Sequence, residues 1–119
     1  MKLSNIIVGA VGLFYWMYVP EGKADCVATL VTFTNYSTGA TPYGGLTLGS
    51  DGNFYGTTSF GGSNYDGSIF ELDTNYVYTP LAAFTYANGN FPPNAMTFGT
   101  NGNFYGVTYG GGVYGLGTV

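Results

Sequence analysis

Asp51-Gly52-Asn53-Phe54-Tyr55-Gly56-Thr57-Thr58 recurs as Asn101-Gly102-Asn103-Phe104-Tyr105-Gly106-Val107-Thr108, an offset of 50 residues. The same offset links Pro42 to Pro92, Gly49 to Gly99, Gly61-Gly62 to Gly111-Gly112, and Gly67 to Gly117. Upstream, Leu30-Val31-Thr32-Phe33 matches Leu81-Ala82-Ala83-Phe84 at an offset of 51, so one residue has been gained or lost in the loop between. Agreement across such widely spaced glycines and prolines does not follow from shared composition. The chain is an internal repeat, and a fixed period of this size marks units that bury their faces against neighbours.

Each unit reads as four short antiparallel strands. In the first, Leu46 to Ser50 and Asn53 to Phe60 flank Asp51-Gly52, and Ser68 to Leu72 follow the loop Gly61–Gly67. Tyr76 to Thr85 then follow a turn at Asp73-Thr74-Asn75, with Pro80 as an expected interruption. Val27 to Thr34 takes the equivalent place ahead of the first unit. Asx-Gly between extended runs predicts a tight hairpin, and a type I′ turn would need positive φ at its centre. Alternation puts Phe54, Gly56, Thr58 and Phe60 on one face and Tyr55, Thr57 and Ser59 on the other. Phe70 and Leu72 point together, opposite Ile69 and Glu71. Gly56 and Gly106 lie inside strands, where glycine usually signals a bulge or the close approach of another backbone.

Composition supports the all-β reading. Only 7% of residues are charged while 45% are hydrophobic, the reverse of what disorder requires. The 21 glycines lie among Tyr, Phe and Thr with no period of three, which excludes a collagen-like chain. Gly, Thr, Tyr and Phe are weak helix formers, and all but Gly favour strands.

The N-terminus reads differently. Met1 to Ala24 has the form of a secretory signal peptide, expected as a helix. Lys2 supplies its basic end, Ile6 to Val19 form a 14-residue apolar stretch, and Gly22 and Ala24 stand where a signal peptidase inspects. That stretch is short of the roughly 20 residues a membrane span needs. An uncleaved N-terminal anchor is the competing reading, since Tyr15, Trp16 and Tyr18 are unusual inside such a core. Beyond Ala24 the chain holds Asp25, Asp51, Asp66, Glu71 and Asp73, and neither Lys nor Arg. Nothing basic remains to neutralise phosphates, which argues against nucleic-acid partners and anionic lipid.

The same inventory removes most catalytic chemistry. With no His, a Ser-His-Asp triad or a His-containing zinc site cannot be assembled. Cys26 is the single cysteine, so neither an internal disulfide nor a thiolate cage can form. Lys23-Ala24-Asp25-Cys26 departs from the Leu-Ala-Gly-Cys of a lipoprotein signal, and a buried or unpaired thiol is the simpler reading. Gly110-Gly111-Gly112 lacks the Lys of a phosphate loop. Asp66 and Glu71 could serve as a glycosidase carboxylate pair. Asp66, however, has Leu116 as its repeat counterpart, and a solvated loop aspartate explains it. Asn64 with Asp66, or Asp73 with Asn75, offers oxygens to calcium; Asx residues are also ordinary turn formers. The tyrosines could stack on sugars or simply pack between units. No residue is assigned as catalytic, cofactor-binding or metal-ligating, and no cofactor is expected.

A period near 50 with four antiparallel strands is the size of a β-propeller blade, about 40–50 residues. The Gly-His and Trp-Asp marks of WD40 blades are missing. The run Gly45-Leu46-Thr47-Leu48-Gly49-Ser50-Asp51-Gly52-Asn53-Phe54-Tyr55-Gly56-Thr57-Thr58-Ser59-Phe60-Gly61-Gly62 instead resembles the GloVer repeat, a tandem-repeat family of bacterial exported proteins that includes choice-of-anchor forms. Gly67-Ser68-Ile69-Phe70 and Gly117-Thr118-Val119 match the Gly-Thr-Val-Phe-like strand that ends its unit. The resemblance covers nearly everything after the signal segment. It implies a secreted or surface-anchored protein of many repeats with a propeller-like fold, and it brings no established activity.

The expected organisation is a signal peptide at 1–24, a first repeat unit with its preceding strand at 25–80, and a second, incomplete unit at 81–119. The fold class is all-β, with antiparallel four-stranded β-propeller-like blades. Because the chain stops midway through its second unit, the reading is of a piece of a longer repeat protein. Residues 25–119 alone are then expected to be marginally folded with an exposed sheet edge. The expected function is a non-enzymatic extracellular or cell-surface repeat module with a structural or interaction role. Its expected partners are further units of the same kind, or an extracellular glycan or protein. The alternative is a carbohydrate-binding or carbohydrate-active propeller whose functional blades lie outside this sequence.

Overall fold

The computed structural model describes residues 6–10, 13–17 and 28–119. Residues 1–32 and 33–119 form two separate compact units. All regular structure among the described residues is β, and every strand pairing is antiparallel.

In the N-terminal unit, β1 (Ile6–Ala10) pairs with β2 (Leu13–Met17), with Ile6 opposite Met17 and Ala10 opposite Leu13. Two strands thus stand where the apolar stretch led us to expect a signal helix. The local sequence accounts for the difference. Ile6, Ile7 and Val8 are β-branched and Phe14, Tyr15 and Trp16 aromatic, types that favour a pleated strand, and Gly9 and Gly12 weaken a helix. Val27 and Cys26 lie outside the described residues.

The first repeat unit is a four-stranded meander in the order β3 (Thr47–Leu48), β4 (Phe54–Thr58), β5 (Ser68–Leu72) and β6 (Tyr78–Ala83). All four strands read from the sequence are present: β5 has the bounds read for it, and the other three are trimmed at their ends. In the second unit, β7 (Thr97–Phe98) pairs with β8 (Phe104–Tyr105), repeating the β3–β4 hairpin.

The hairpin turn differs from the type I′ expected. Gly52 N–H donates to Gly49 O at 3.2 Å, and Gly49 N–H donates to Asn53 O at 2.9 Å. Gly52 has φ +87°, while Asp51 stays out of the positive-φ region. This is a three-residue loop, a turn followed by a left-handed glycine that forms a bulge. Asp51 can keep ordinary φ because its carboxylate accepts Asn53 N–H at 3.1 Å, closing an Asx turn that a two-residue loop has no room for. Asn101 and Gly102 repeat the arrangement, with the corresponding bonds at 3.0, 2.8 and 3.2 Å.

Pro80 sits in β6 opposite Phe70 instead of interrupting it. β6 is the edge strand, and the register slips between Ile69 and Phe70, so the missing N–H falls beside a bulge.

The core lies on the face shared by Gly56, Phe70 and Leu72. Phe70 and Leu72 are each 3% exposed. Phe33, Phe70 and Tyr78 form a three-ring cluster with centroids 5.3–5.4 Å apart, mostly edge to face, a favoured aromatic geometry. Gly56 explains itself here. A Cβ at this position would lie 2.5 Å from Phe70 Cζ and 3.0 Å from Leu46 Cδ2, so its glycine makes room for a ring, where a bulge or a second backbone was expected. Segment 35–40 folds over the same face: Thr38 O accepts both Ser68 Oγ at 3.0 Å and Tyr78 OH at 2.8 Å.

The repeat extends to hydrogen bonds the sequence does not display. Ala40 N–H to Phe60 O is matched by Asn90 N–H to Gly110 O, and Gly62 N–H to Tyr36 O by Gly112 N–H to Tyr86 O. Gly67 N–H to Gly61 O is matched by Gly117 N–H to Gly111 O. Even the strained backbone recurs: Thr41 and Phe91, each before a proline, hold φ +58° and +53°.

Candidate functional site

The most elaborated surface in the chain is the face of the first unit turned to the second. Alternation along β4 points Tyr55, Thr57 and Ser59 to this side, away from Phe70. Thr57 Oγ1 donates to Asn94 O at 3.2 Å, Ser59 Oγ to Pro92 O at 2.8 Å, and Thr47 Oγ1 to Met96 O. Three hydroxyls thus meet three alternate carbonyls of one segment. In return, Phe91 N–H donates to Asp66 O at 3.0 Å. Ring contacts flank the row, with Tyr55 on Phe104 at 4.4 Å and Phe60 on Phe91 at 5.0 Å. A Cβ on Gly44 would lie 2.7 Å from the Asn94 backbone, so the two segments run in close contact. Thr57, Ser59 and Met96 are 3%, 4% and 8% exposed, which makes this a sealed interface.

Sequence reading found the correct faces but missed the role of Thr57 and Ser59. Their partners are backbone carbonyls, which leave no side-chain signature. A signal was present nonetheless: at these outward positions the second copy diverges to Val107 and Tyr109, while Gly56 and Thr58, beside and between them, are kept as Gly106 and Thr108.

The acidic and Asx residues fall into two groups. Asp51 accepts Tyr55 OH at 2.7 Å and Asn53 Nδ2 at 3.2 Å, and Asn53 Nδ2 also donates to Glu71 Oε1 at 2.6 Å. The structure therefore joins Glu71 to Asp51 through Asn53. Asp66 is used through its backbone carbonyl, at the inter-unit contact. Asp73 accepts the N–H groups of Asn75 and Val77 at 2.8 and 2.9 Å, the turn-forming role open to any Asx residue. Asn64 Nδ2 donates to Phe84 O at 3.1 Å. Among the described residues, no three His, Cys, Asp or Glu side chains gather as a metal cage.

Electrostatic shifts fall on the hairpins and on the ring cluster. The Tyr55 phenol bonded to Asp51 holds that carboxyl below its ordinary value, and the same bond raises the phenol. At the equivalent place, Asn101 Nδ2 donates to Tyr105 OH at 2.8 Å and lowers that phenol. Burial pushes the Tyr78 phenol up. A cavity of about 210 Å³ opens beside Thr38, Ser63 and Leu81, below the ~300 Å³ or more of small-molecule sites.

The sequence matches the Gloeobacter/Verrucomicrobia repeat over residues 8–119. The chain belongs to this family. No curated protein and no solved structure gives a significant match. Within this GloVer chain, the row Thr47, Thr57, Ser59 joins the first repeat unit to the second. No described helix is long and apolar enough to cross a membrane.

Proposed function

We propose that this GloVer chain is a non-enzymatic module of the cell exterior whose repeat units serve to bind one another, in four-stranded blades of propeller-like kind. The observation that carries the reading is the row of three hydroxyl-to-carbonyl bonds from Thr47, Thr57 and Ser59, because it commits the outward side of β3 and β4 to unit–unit contact. The four-stranded meander of the first unit supports the blade reading. The acidic, Lys- and Arg-free sequence after Ala24, behind an apolar leader with small residues at 22 and 24, supports export.

Expression of the full chain in a bacterial host, followed by fractionation and mass determination, tests export. The expected product lies outside the cytoplasm and begins at Asp25. A chain confined to the cytoplasm overturns the reading. A glycan-binding role has one observation in its favour: Tyr43, Tyr65, Tyr109 and Tyr114 are 73%, 68%, 80% and 88% exposed. Binding of the exported chain to a glycan array would establish that second role.

A further inference from the structure

Asn35-Tyr36-Ser37 is the one place in the chain where an asparagine is followed two residues later by Ser or Thr. The pattern has no counterpart in the second unit, which reads Thr85-Tyr86-Ala87 at the offset of 50. Asn-x-Ser is the acceptor motif of N-linked glycosylation, and it must lie on a surface loop to be reached. The spacing alone arises by chance in many chains, and local geometry decides whether it is usable.

Here the three residues form an accessible turn. Asn35 Oδ1 accepts Ser37 N–H at 2.9 Å, closing an Asx turn. Asn35 O accepts Thr38 N–H at 3.2 Å and Thr38 Oγ1–H at 3.1 Å. Below the turn, Tyr36 O accepts Gly62 N–H at 2.8 Å, and Thr38 O accepts Ser68 Oγ and Tyr78 OH. The backbone is thus fastened to the sheet while Asn35 and Ser37 stay exposed and Tyr36 is 65% exposed. Among the described residues, Asn35 Nδ2 and Ser37 Oγ have no hydrogen-bond partner.

This exposure does not depend on a missing neighbour. The first unit has the second packed on its outward face, and the second has the first packed behind it. The loop stays open in both: Tyr86, which takes the place of Tyr36, is 59% exposed. Contact on either side of a unit therefore leaves this loop uncovered.

We propose that Asn35 is an acceptor site for N-linked glycosylation, its amide nitrogen receiving a sugar from a diphosphate-activated donor. The Ser37 N–H on Oδ1 draws electron density toward the oxygen, which makes the Nδ2 protons more acidic and leaves the nitrogen free. In the transfer, Nδ2 bonds to the anomeric carbon of the donor sugar while the bond from that carbon to the diphosphate oxygen breaks. The diphosphate leaves with the electron pair, one Nδ2 proton passes to a base of the transferase, and nothing is oxidised or reduced. Ser37 supplies the hydroxyl that such a transferase reads two residues on. The inference deepens, and rests on, the reading of a module of the cell exterior, but its test does not require export.

The purified full chain is incubated with UDP-glucose and a soluble N-glycosyltransferase that reads Asn-x-Ser/Thr, beside a synthetic peptide of residues 33–39. Intact mass and peptide mapping report the product. The folded chain is expected to take up a single hexose, on Asn35, at least as fast as the peptide, because its Asx turn is already formed. Asn35→Gln is expected to abolish uptake. Ser37→Ala is expected to slow it by about a hundredfold or more, since a site built to bond a hydroxyl rejects the analogue lacking it. Ser37→Thr is expected to keep it. All three changes fall on exposed residues, and a circular dichroism spectrum like the parent's is expected of each. A folded chain that stays bare where the peptide is modified overturns the proposal, as does hexose on Asn35→Gln at the parent's level. Export is read separately: a chain that stays in the cytoplasm yet takes up hexose in this assay removes the exported-module reading and keeps this one.

Discussion

Thr58 and Ser68 meet hydroxyl to hydroxyl at 2.8 Å with side chains 0% and 1% exposed, and Thr108 repeats the contact with Thr118 at 2.9 Å. Thr58 Oγ1 also accepts Ser68 N–H at 3.1 Å, and its single proton goes either to Ser68 Oγ or to Phe60 O, 3.0 Å away, so one hydroxyl ties β4 to β5 at the mouth of the loop. Thr58→Val leaves a buried N–H without an acceptor and is expected to cost about 2 kcal/mol. Ser68→Ala is milder, about 1 kcal/mol, because Tyr78 OH still satisfies Thr38 O. Denaturant unfolding of the two singles and the double gives their coupling. Additive costs would show that the pair does not act as a unit.

Gly56 stands against the Phe70 ring, and Gly106 has only Met96 Cγ nearby, at 3.3 Å from a would-be Cβ. Gly56→Ala is therefore expected to cost about 1–3 kcal/mol through overpacking. Gly106→Ala, on an exposed residue, should cost far less. Phe70→Leu in the Gly56→Ala background should recover part of the loss, which thermal melts would register.

Tyr65 holds φ +64° with its side chain 68% exposed, and its repeat equivalent is Gly115 at +72°. A bulky residue in the left-handed region costs roughly 1–2 kcal/mol, of which glycine's greater unfolded freedom returns about half. Tyr65→Gly should thus raise the stability of the chain by about 0.5–1 kcal/mol, measured as a shift of the denaturation midpoint. A lower midpoint would mean that the exposed ring contributes more than its backbone costs.

The phenol shifts give the stability of the fold a dependence on alkaline pH. Burial raises Tyr78 above its ordinary 10.0, so the folded state favours the neutral phenol. The resulting stability is present below pH 10 and lost as pH rises through the folded value. Tyr55 acts with the same sign through its bond to Asp51, and Tyr105 with the opposite sign. Tyr78→Phe should flatten the fall in melting temperature above pH 10. Asp51→Asn should carry the Tyr55 phenol to the low side of its ordinary value, where Tyr105 stands, as ring-carbon NMR titration can read.

The strands were legible because Asx-Gly pairs and period-two alternation state a meander in local terms. The kind of turn was not, since Asp-Gly serves both a two-residue loop with both centres left-handed and a three-residue loop with only its glycine so. The Gly49 N–H to Asn53 O bond, the ordinary φ of Asp51 and the Asx contact to Asn53 N–H together separate them. Gly56 announced a close approach, but the approaching atom belongs to Phe70, 14 residues away in sequence, and no local rule names it. The unit–unit face was half legible: the positions came from alternation, and the chemistry came from carbonyls at Pro92, Asn94 and Met96, which any residue carries. The N-terminal stretch shows the opposite case, where apolar length suggested a helix and β-branched and aromatic content favoured strands.

Asn101 is followed by Gly102, the pairing in which a backbone amide nitrogen most readily attacks the preceding side-chain amide, expels ammonia and, after ring opening, leaves aspartate or its iso form. In the folded hairpin that nitrogen is held by its bond to Gly99 O, and the Asn101 amide is held by Tyr105 and Asn103. The attack must therefore wait for the hairpin to open. Ammonia loss at Asn101, read apart from that at the other Asn-Gly pair, Asn88-Gly89, becomes a chemical clock that counts time spent open. Where ring opening leaves ordinary aspartate, the older chain carries in its second hairpin the same residue that Asp51 already supplies to the first.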